Sequence, residues 1–237
     1  MRRLDFCPQL RDLYETQRTV GRFGKVFDDL AALSTINNLT TLRSFMFDLK
    51  PDRTLEIGMA FGGSTVTFAQ SHKDLAREPS KQHTAIDPAQ SKYWDDAGRL
   101  LLENASLEGY VEVIEDYSSQ AMPRLVQEGR RFEMVYIDGS HQFEDVLMDF
   151  VFTHEMLEVG GVILFDDSTD SHVAKVLRFL EANYDEIYAP VSLTRFRVGL
   201  GAKLKHRAAS YLRRSQLRAY RKLKEGRQNW GKPLKEF

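Results

Sequence analysis

From about residue 53 onward, short runs rich in β-branched residues alternate with longer stretches of helical periodicity. The runs 54–58, 83–87, 111–116, 132–138 and 161–166 predict strands, each a few residues of apolar character bounded by turn-forming residues. Between them, 65–73, 94–107, 120–128, 143–158 and 171–183 predict helices. Strand–helix alternation of this kind implies an α/β domain, a parallel sheet with helices on both faces. Two further extended segments, 187–193 and 195–200, lie too close together for a parallel crossover, so they predict an antiparallel pair.

The flanks carry different patterns. In residues 1–50, Leu30, Leu33, Ile36, Leu39, Leu42 and Phe45 recur at helical spacing, and Pro51 closes the segment. This predicts a helical N-terminal extension ahead of a domain over 51–201. The tail 202–237 reads as a basic amphipathic helix to about residue 225, with Leu204, Ala208, Leu212 and Tyr220 as a narrow apolar stripe.

Composition sharpens this picture. The chain has 237 residues, of which 42% are hydrophobic and 28% charged, a globular balance. Its net charge of −1 hides an asymmetry: residues 201–237 hold 12 Lys and Arg against 2 Asp and Glu, the remainder 21 against 32. An acidic body with a basic tail argues against a dedicated nucleic-acid-binding domain, whose basic residues would lie on the body. The tail is read first as a solvated helix packing on the body or on a second copy in a homo-oligomer. Contact with a membrane surface comes next and nucleic acid last. The single cysteine, Cys7, excludes an intrachain disulfide and a multi-cysteine zinc site. The segment Met1-Arg-Arg-Leu-Asp-Phe-Cys-Pro8 has no long apolar run after its charges, unlike a signal peptide. The expectation is a soluble, cytoplasmic protein.

Chemistry concentrates where the strands end, which is where open α/β sheets bind ligands. The first strand runs into Glu56-Ile-Gly58-Met-Ala60-Phe-Gly62-Gly-Ser64-Thr. Glycines there allow a sharp turn and close approach of a ligand, and the next helix offers free N–H groups to an anion. The spacing is neither that of a dinucleotide fingerprint nor that of a phosphate loop. By itself it fits a tight strand–helix turn as well as it fits a ligand cradle. Asp87 closes the second strand and can accept the hydroxyls of a ribose, or form a turn with Pro88. Ser118, after the third strand, can reach an adenine edge, and Ser119 can cap the next helix. The fourth strand delivers Asp138-Gly-Ser-His141 and the fifth Asp166-Asp167. Three carboxylates at one edge repel each other unless a cation joins them, and an oxygen-rich set suits Mg²⁺, Ca²⁺ or Mn²⁺. Otherwise they cap helices and stay solvated. His141 is placed to take a proton from a substrate hydroxyl. His172 is a second candidate, and His154 reads as a structural histidine on a helix face.

At these residues the chain resembles class I S-adenosylmethionine-dependent methyltransferases. More narrowly, it is similar to the macrocin/mycinamicin O-methyltransferase and cephalosporin hydroxylase-like group, related to catechol O-methyltransferases. The resemblance covers about 51–200 and rests on the stretches 55–65, 86–88, 136–141 and 160–167; Ile-Asp-Gly-Ser-His with a later Asp-Asp is its specific part. It implies a Rossmann-like, doubly wound, seven-stranded sheet, mostly parallel, whose last strand is antiparallel. It also implies that Glu56, Gly58, Ala60 and Ser64 hold the methionine end of S-adenosylmethionine, with Asp87 on the ribose and Ser118 on the adenine. Asp138, Asp166 and Asp167 fall at Mg²⁺-binding positions, with Asp138 also beside the cofactor, and His141 at the position of the base. The implied reaction is metal-assisted O-methylation of a small sugar-like, vicinal-diol or phenolic molecule. The rival reading is a non-catalytic, cofactor-binding accessory protein of a biosynthetic complex; a nicotinamide dehydrogenase is disfavoured because position 60 lacks its second glycine.

Overall fold

The computed structural model describes residues 2–196, 201, 203–204, 215–227 and 231–237. The chain divides into two compact units, Met1–Ala121 and Met122–Phe237.

In the first unit, α1 (Pro8–Thr16) starts with proline at its first position, where no N–H is needed, and buries Leu10, Leu13 and Tyr14. A two-stranded antiparallel hairpin, β1 (Thr19–Val20) and β2 (Val26–Phe27), follows. Then comes α2 (Ile36–Leu49), whose N-cap Thr35 accepts from the Asn38 N–H at 3.2 Å. Leu39, Leu42, Phe45 and Met46 are its buried face. Three strands, β3 (Thr54–Ile57), β4 (His83–Ile86) and β5 (Val111–Ile114), pair in parallel, in the order β3-β4-β5. Strands β3 and β4 are buried at every position, as expected for strands covered on both faces. Helices α3 (Gly63–Asp74) and α4 (Ala97–Asn104) follow β3 and β4, and α5 (Ser118–Gln127) begins after β5.

The second unit contains β6 (Phe132–Ile137), α6 (Phe143–Met156), β7 (Leu157–Phe165), α7 (Ser171–Asn183), β8 (Tyr188–Pro190) and β9 (Arg218–Lys222). β6 and β7 are parallel, while β9 is antiparallel to both β7 and β8. The seven strands form one sheet in the order β5-β4-β3-β6-β7-β9-β8. The Rossmann-like, mostly parallel sheet with an antiparallel last strand is therefore present.

Three expectations change. Residues 17–35 are not helical, because Gly21 and Gly24 turn the chain back at the hairpin tip. A side chain at position 21 would meet Asp95, and Gly24 has φ +97°. The antiparallel strand expected over 195–200 lies at 218–222 instead; Leu193–Phe196 is a short 3-10 turn, and 197–200 fall outside the described residues. The helix expected over 202–225 is overturned at 218–222, while 205–214 lie outside the described residues. Strand pairing wins there because β9 gains backbone ladders on both sides and buries Ala219, Tyr220 and Lys222. The Lys222 ammonium donates to the carbonyls of His154 (3.0 Å) and Leu157 (2.9 Å) and to Glu225 (2.7 Å), which a solvated helical lysine would not do. Among the described residues, no helix is long and apolar enough to cross a membrane.

Candidate active site

The turn between β3 and α3 is built from strained backbone. Gly58 and Gly62 have φ of +95° and +83°, and Ala60, a residue with a Cβ, has +44°. Asp87 supplies the reason it holds. Its Oδ2 accepts from the N–H groups of Met59 (3.1 Å) and Ala60 (2.8 Å), and its Oδ1 from Ala89 (2.8 Å). Gln90, fully buried, donates from Nε2 to the Ala60 carbonyl at 2.8 Å. Gly98 approaches the same carbonyl so closely that a Cβ on it would stand 2.7 Å away. The expected ribose acid is therefore also the clamp of the expected methionine turn. A carboxylate has about four lone-pair sites, and three are used here.

Glu56 lies behind this turn, fully buried, accepting from the Thr65 hydroxyl in the first turn of α3. It braces the two ends of the turn against each other. Its Oε1 also stands 3.4 Å from His83 Nε2. His83 Nδ1 contacts the Thr54 hydroxyl at 2.8 Å, and that hydroxyl contacts His72 Nε2 at 3.0 Å. His72 is pushed down to about 3, chiefly by burial, with His83 and Arg77 adding to the shift, so it is neutral. Ser64 is buried in the first turn of α3, and Ser118 is half-buried as the first residue of α5.

In the second unit, Asp138, His141 and Asp167 each offer a ligand atom, all within 4.8 Å of one another. His141 Nε2 lies 3.0 Å from Asp167 Oδ2. An ionised carboxylate only accepts, so the proton of a neutral His141 sits on Nε2 and its basic lone pair on Nδ1. Asp167, at φ +44°, also accepts from Gln216 Nε2 at 3.0 Å. Asp166, expected in the same carboxylate set, is buried and turned inward. Its Oδ1 accepts from the Asp167 N–H (2.9 Å), and its Oδ2 from the hydroxyl of Tyr136. That hydroxyl also lies 3.0 Å from Asp138 Oδ2. His172 does not join the group: its Nδ1 accepts from the Phe143 N–H at 3.2 Å, at the start of α6. His154 is structural, its ring between the Tyr188 hydroxyl (3.1 Å) and the Gly226 carbonyl (2.7 Å). Thr65 and Tyr136 lay within the stretches 55–65 and 136–141 without a role of their own, and Gln90 lay outside them; a tyrosine inside the apolar run Met134-Val-Tyr136-Ile was the available signal.

Residues 55–168 match a family described as a methyltransferase domain. The O-methyltransferase hkm8 of Aspergillus hancockii is 25% identical over 143 residues, 60% of this chain and 52% of that protein. The chain thus spans about half the length of that relative. Two solved structures share the fold. The O-methyltransferase TomG of Streptomyces achromogenes, involved in tomaymycin synthesis and in complex with S-adenosylmethionine, aligns with TM-score 0.65 and 18% identity. The alignment covers 92% of this chain and 90% of that one. An O-methyltransferase of Bacillus cereus in complex with S-adenosylhomocysteine aligns with TM-score 0.61 and 17% identity, covering 90% of each chain. The match to the methyltransferase-domain family covers residues 55–168, and the sheet order accompanies a fold that the chain shares with these O-methyltransferase structures.

Proposed function

We propose that the protein is an O-methyltransferase that transfers the methyl group of S-adenosylmethionine to a hydroxyl of a small sugar-like, vicinal-diol or phenolic molecule, assisted by a divalent cation. The observation that carries this reading is the grouping of Asp138 and Asp167 with His141. The carboxylate oxygens of Asp138 and Asp167, this close to each other, fit a hard divalent cation, and the His141 imidazole beside them is left to act as a base. Asp138 and Asp167 would hold the ion with Asp166 behind them. Once bound, the ion lowers the pKa of a coordinated substrate hydroxyl.

His141 takes the hydroxyl proton at Nδ1. Asp167 fixes the ring through Nε2–H and stabilises the imidazolium that results, the geometry of a base and its orienting carboxylate. A bound cofactor would supply an electrophilic methyl, the O–CH3 bond forming in line as the S–CH3 bond breaks and S-adenosylhomocysteine leaves, so the residues here would contribute mainly positioning. In the first unit, the backbone of 58–62 and Ser64 would receive the methionine end of the cofactor, Asp87 the ribose and Ser118 the adenine.

Titrating the protein calorimetrically with S-adenosylmethionine and S-adenosylhomocysteine, with Mg²⁺ and then with EDTA, tests the cofactor. A screen of sugars, diols and phenols for methylation then tests the reaction. Saturable binding of both and turnover that EDTA removes are expected. Folded protein that binds neither compound refutes the proposal, and turnover indifferent to EDTA removes the cation from it.

A further inference from the structure

We propose that Tyr136 is a positioning residue of the Asp138–His141–Asp167 group, its buried hydroxyl setting the direction in which the Asp138 carboxylate faces. The proposal rests on the cation-assisted reading above.

Tyr136 lies in β6, where Phe132, Met134, Val135 and Ile137 are all buried apolar residues. A phenol in such a strand costs free energy unless its hydroxyl finds a partner. The side chain is fully buried, and its oxygen reaches two carboxylates, Asp138 Oδ2 at 3.0 Å and Asp166 Oδ2. The geometry follows from the strand. Residues i and i+2 share a face, which places Asp138 beyond Tyr136 at the end of β6. Asp166 follows Phe165, which is paired with Ile137 across the ladder.

A phenol has one proton and ionised carboxylates have none, so the hydroxyl links the two acids by sharing that proton between Asp138 Oδ2 and Asp166 Oδ2 as a three-centre hydrogen bond. Asp166 is held at both oxygens, by Tyr136 and by the Asp167 N–H at 2.9 Å. That makes Asp166 the fixed end of the link and Asp138, half-buried and grouped with His141 and Asp167, the end that is aimed. The same Asp166 also restrains Asp167 through its backbone. Tyr136 and Asp166 thus form a buried support beneath this group. Outer groups of this kind, which orient ligands, change metal affinity about 10- to 100-fold when removed.

Tyr136→Phe deletes one oxygen and keeps the ring, so packing is preserved. Mn²⁺ is the probe, its binding read by electron paramagnetic resonance, alongside S-adenosylmethionine affinity by calorimetry and the thermal midpoint. Asp138→Asn serves as the reference for loss of the site. The expected result is Mn²⁺ affinity reduced about 10- to 100-fold in Tyr136→Phe, with cofactor affinity and midpoint unchanged. Unchanged Mn²⁺ affinity overturns the proposal. So does a parallel loss of cofactor affinity and stability, which would make Tyr136 a general structural residue. If the wild type binds no Mn²⁺, the cation-assisted reading fails. Crystal structures of wild type and Tyr136→Phe then decide for Tyr136: a turned Asp138 carboxylate supports the aiming role, and the same rotamer in both overturns it.

Discussion

Asp87, Asp166 and Asp167 are chemically identical, and their donors separate their work. Asp87 receives three backbone N–H groups and so acts on the shape of the β3–α3 turn. Asp166 receives a phenol and a backbone N–H and faces inward. Asp167 faces an imidazole and a side-chain amide and stays partly open to solvent. The single changes that test these roles therefore differ in readout. Asp87→Ala leaves buried backbone donors without an acceptor, which costs about 1–3 kcal/mol each in unfavourable cases. The variant should unfold at lower urea and bind S-adenosylmethionine more weakly; calorimetry that shows wild-type affinity would remove Asp87 from the cofactor. His141→Gln keeps a polar side chain but no base, so kcat should fall about 10²- to 10⁴-fold with cofactor affinity intact. Wild-type turnover in that variant would exclude His141 as the proton acceptor.

At the scale of elements, the fold relies on close approaches that leave no room for a side chain. Gly98, in the first turn of α4, packs against the Ala60 carbonyl, so α4 and the β3–α3 turn are held at a separation set by glycine. Gly98→Ala must push the turn or the helix aside. A cost of about 1–3 kcal/mol and weaker cofactor binding are expected, measured by urea unfolding and calorimetry. A neutral outcome in both would show that α4 can give way at no cost. The hairpin β1–β2 is held in a similar local manner. Asp95 accepts from the N–H groups of Phe23 (3.1 Å) and Lys25 (2.9 Å), and the Asp95 carbonyl from Arg22 (2.6 Å). Asp95 and Asp96 sit at φ +51° and +54°, which delays the start of α4 from the expected Trp94 to Ala97. Asp95→Ala should free the tip, and limited proteolysis should then cut within 21–25. A cleavage pattern identical to wild type would mean that the aromatic contacts of Phe27 with Phe61 suffice to hold it.

For the whole molecule, buried histidines make stability depend on pH. His72 is lowered to about 3 in the folded protein against an ordinary value of 6.5, with burial the leading cause. Because the unfolded chain binds the extra proton first, stability is complete above pH 6.5 and falls as pH drops through the window from 6.5 towards 3. His154, lowered mainly by burial, adds in the same direction. Between pH 7.5 and 5.5, His72 alone should cost on the order of 1 kcal/mol of unfolding free energy. Urea midpoints at the two pH values check this in wild type and in His72→Gln. The variant should lose that part of the pH dependence, whatever its absolute stability, and an equal slope in both would exclude His72 as its source.

The strands β3 to β7 and helices α3, α6 and α7 were legible in the sequence within a few residues, because local periodicity and burial on both faces agree there. The acids and the histidine at the strand ends were legible too, since polar residues that close apolar runs stand out. Which of them act together was not. The distance from His141 to Asp167, the inward turn of Asp166 and the Tyr136 hydroxyl that reaches two acids all join β6 to β7 through space, and no spacing along the chain encodes a side-chain direction. The same holds for β9. Residues 218–222 alternate too weakly to declare a strand, and only the open edges of β7 and β8, with carbonyls waiting for Lys222, draw them into the sheet. Local sequence thus determined the elements and the chemical types at their ends; the tertiary structure decided which of those groups meet, because hydrogen-bond partners distant in sequence choose among conformations that are locally near-equal in energy.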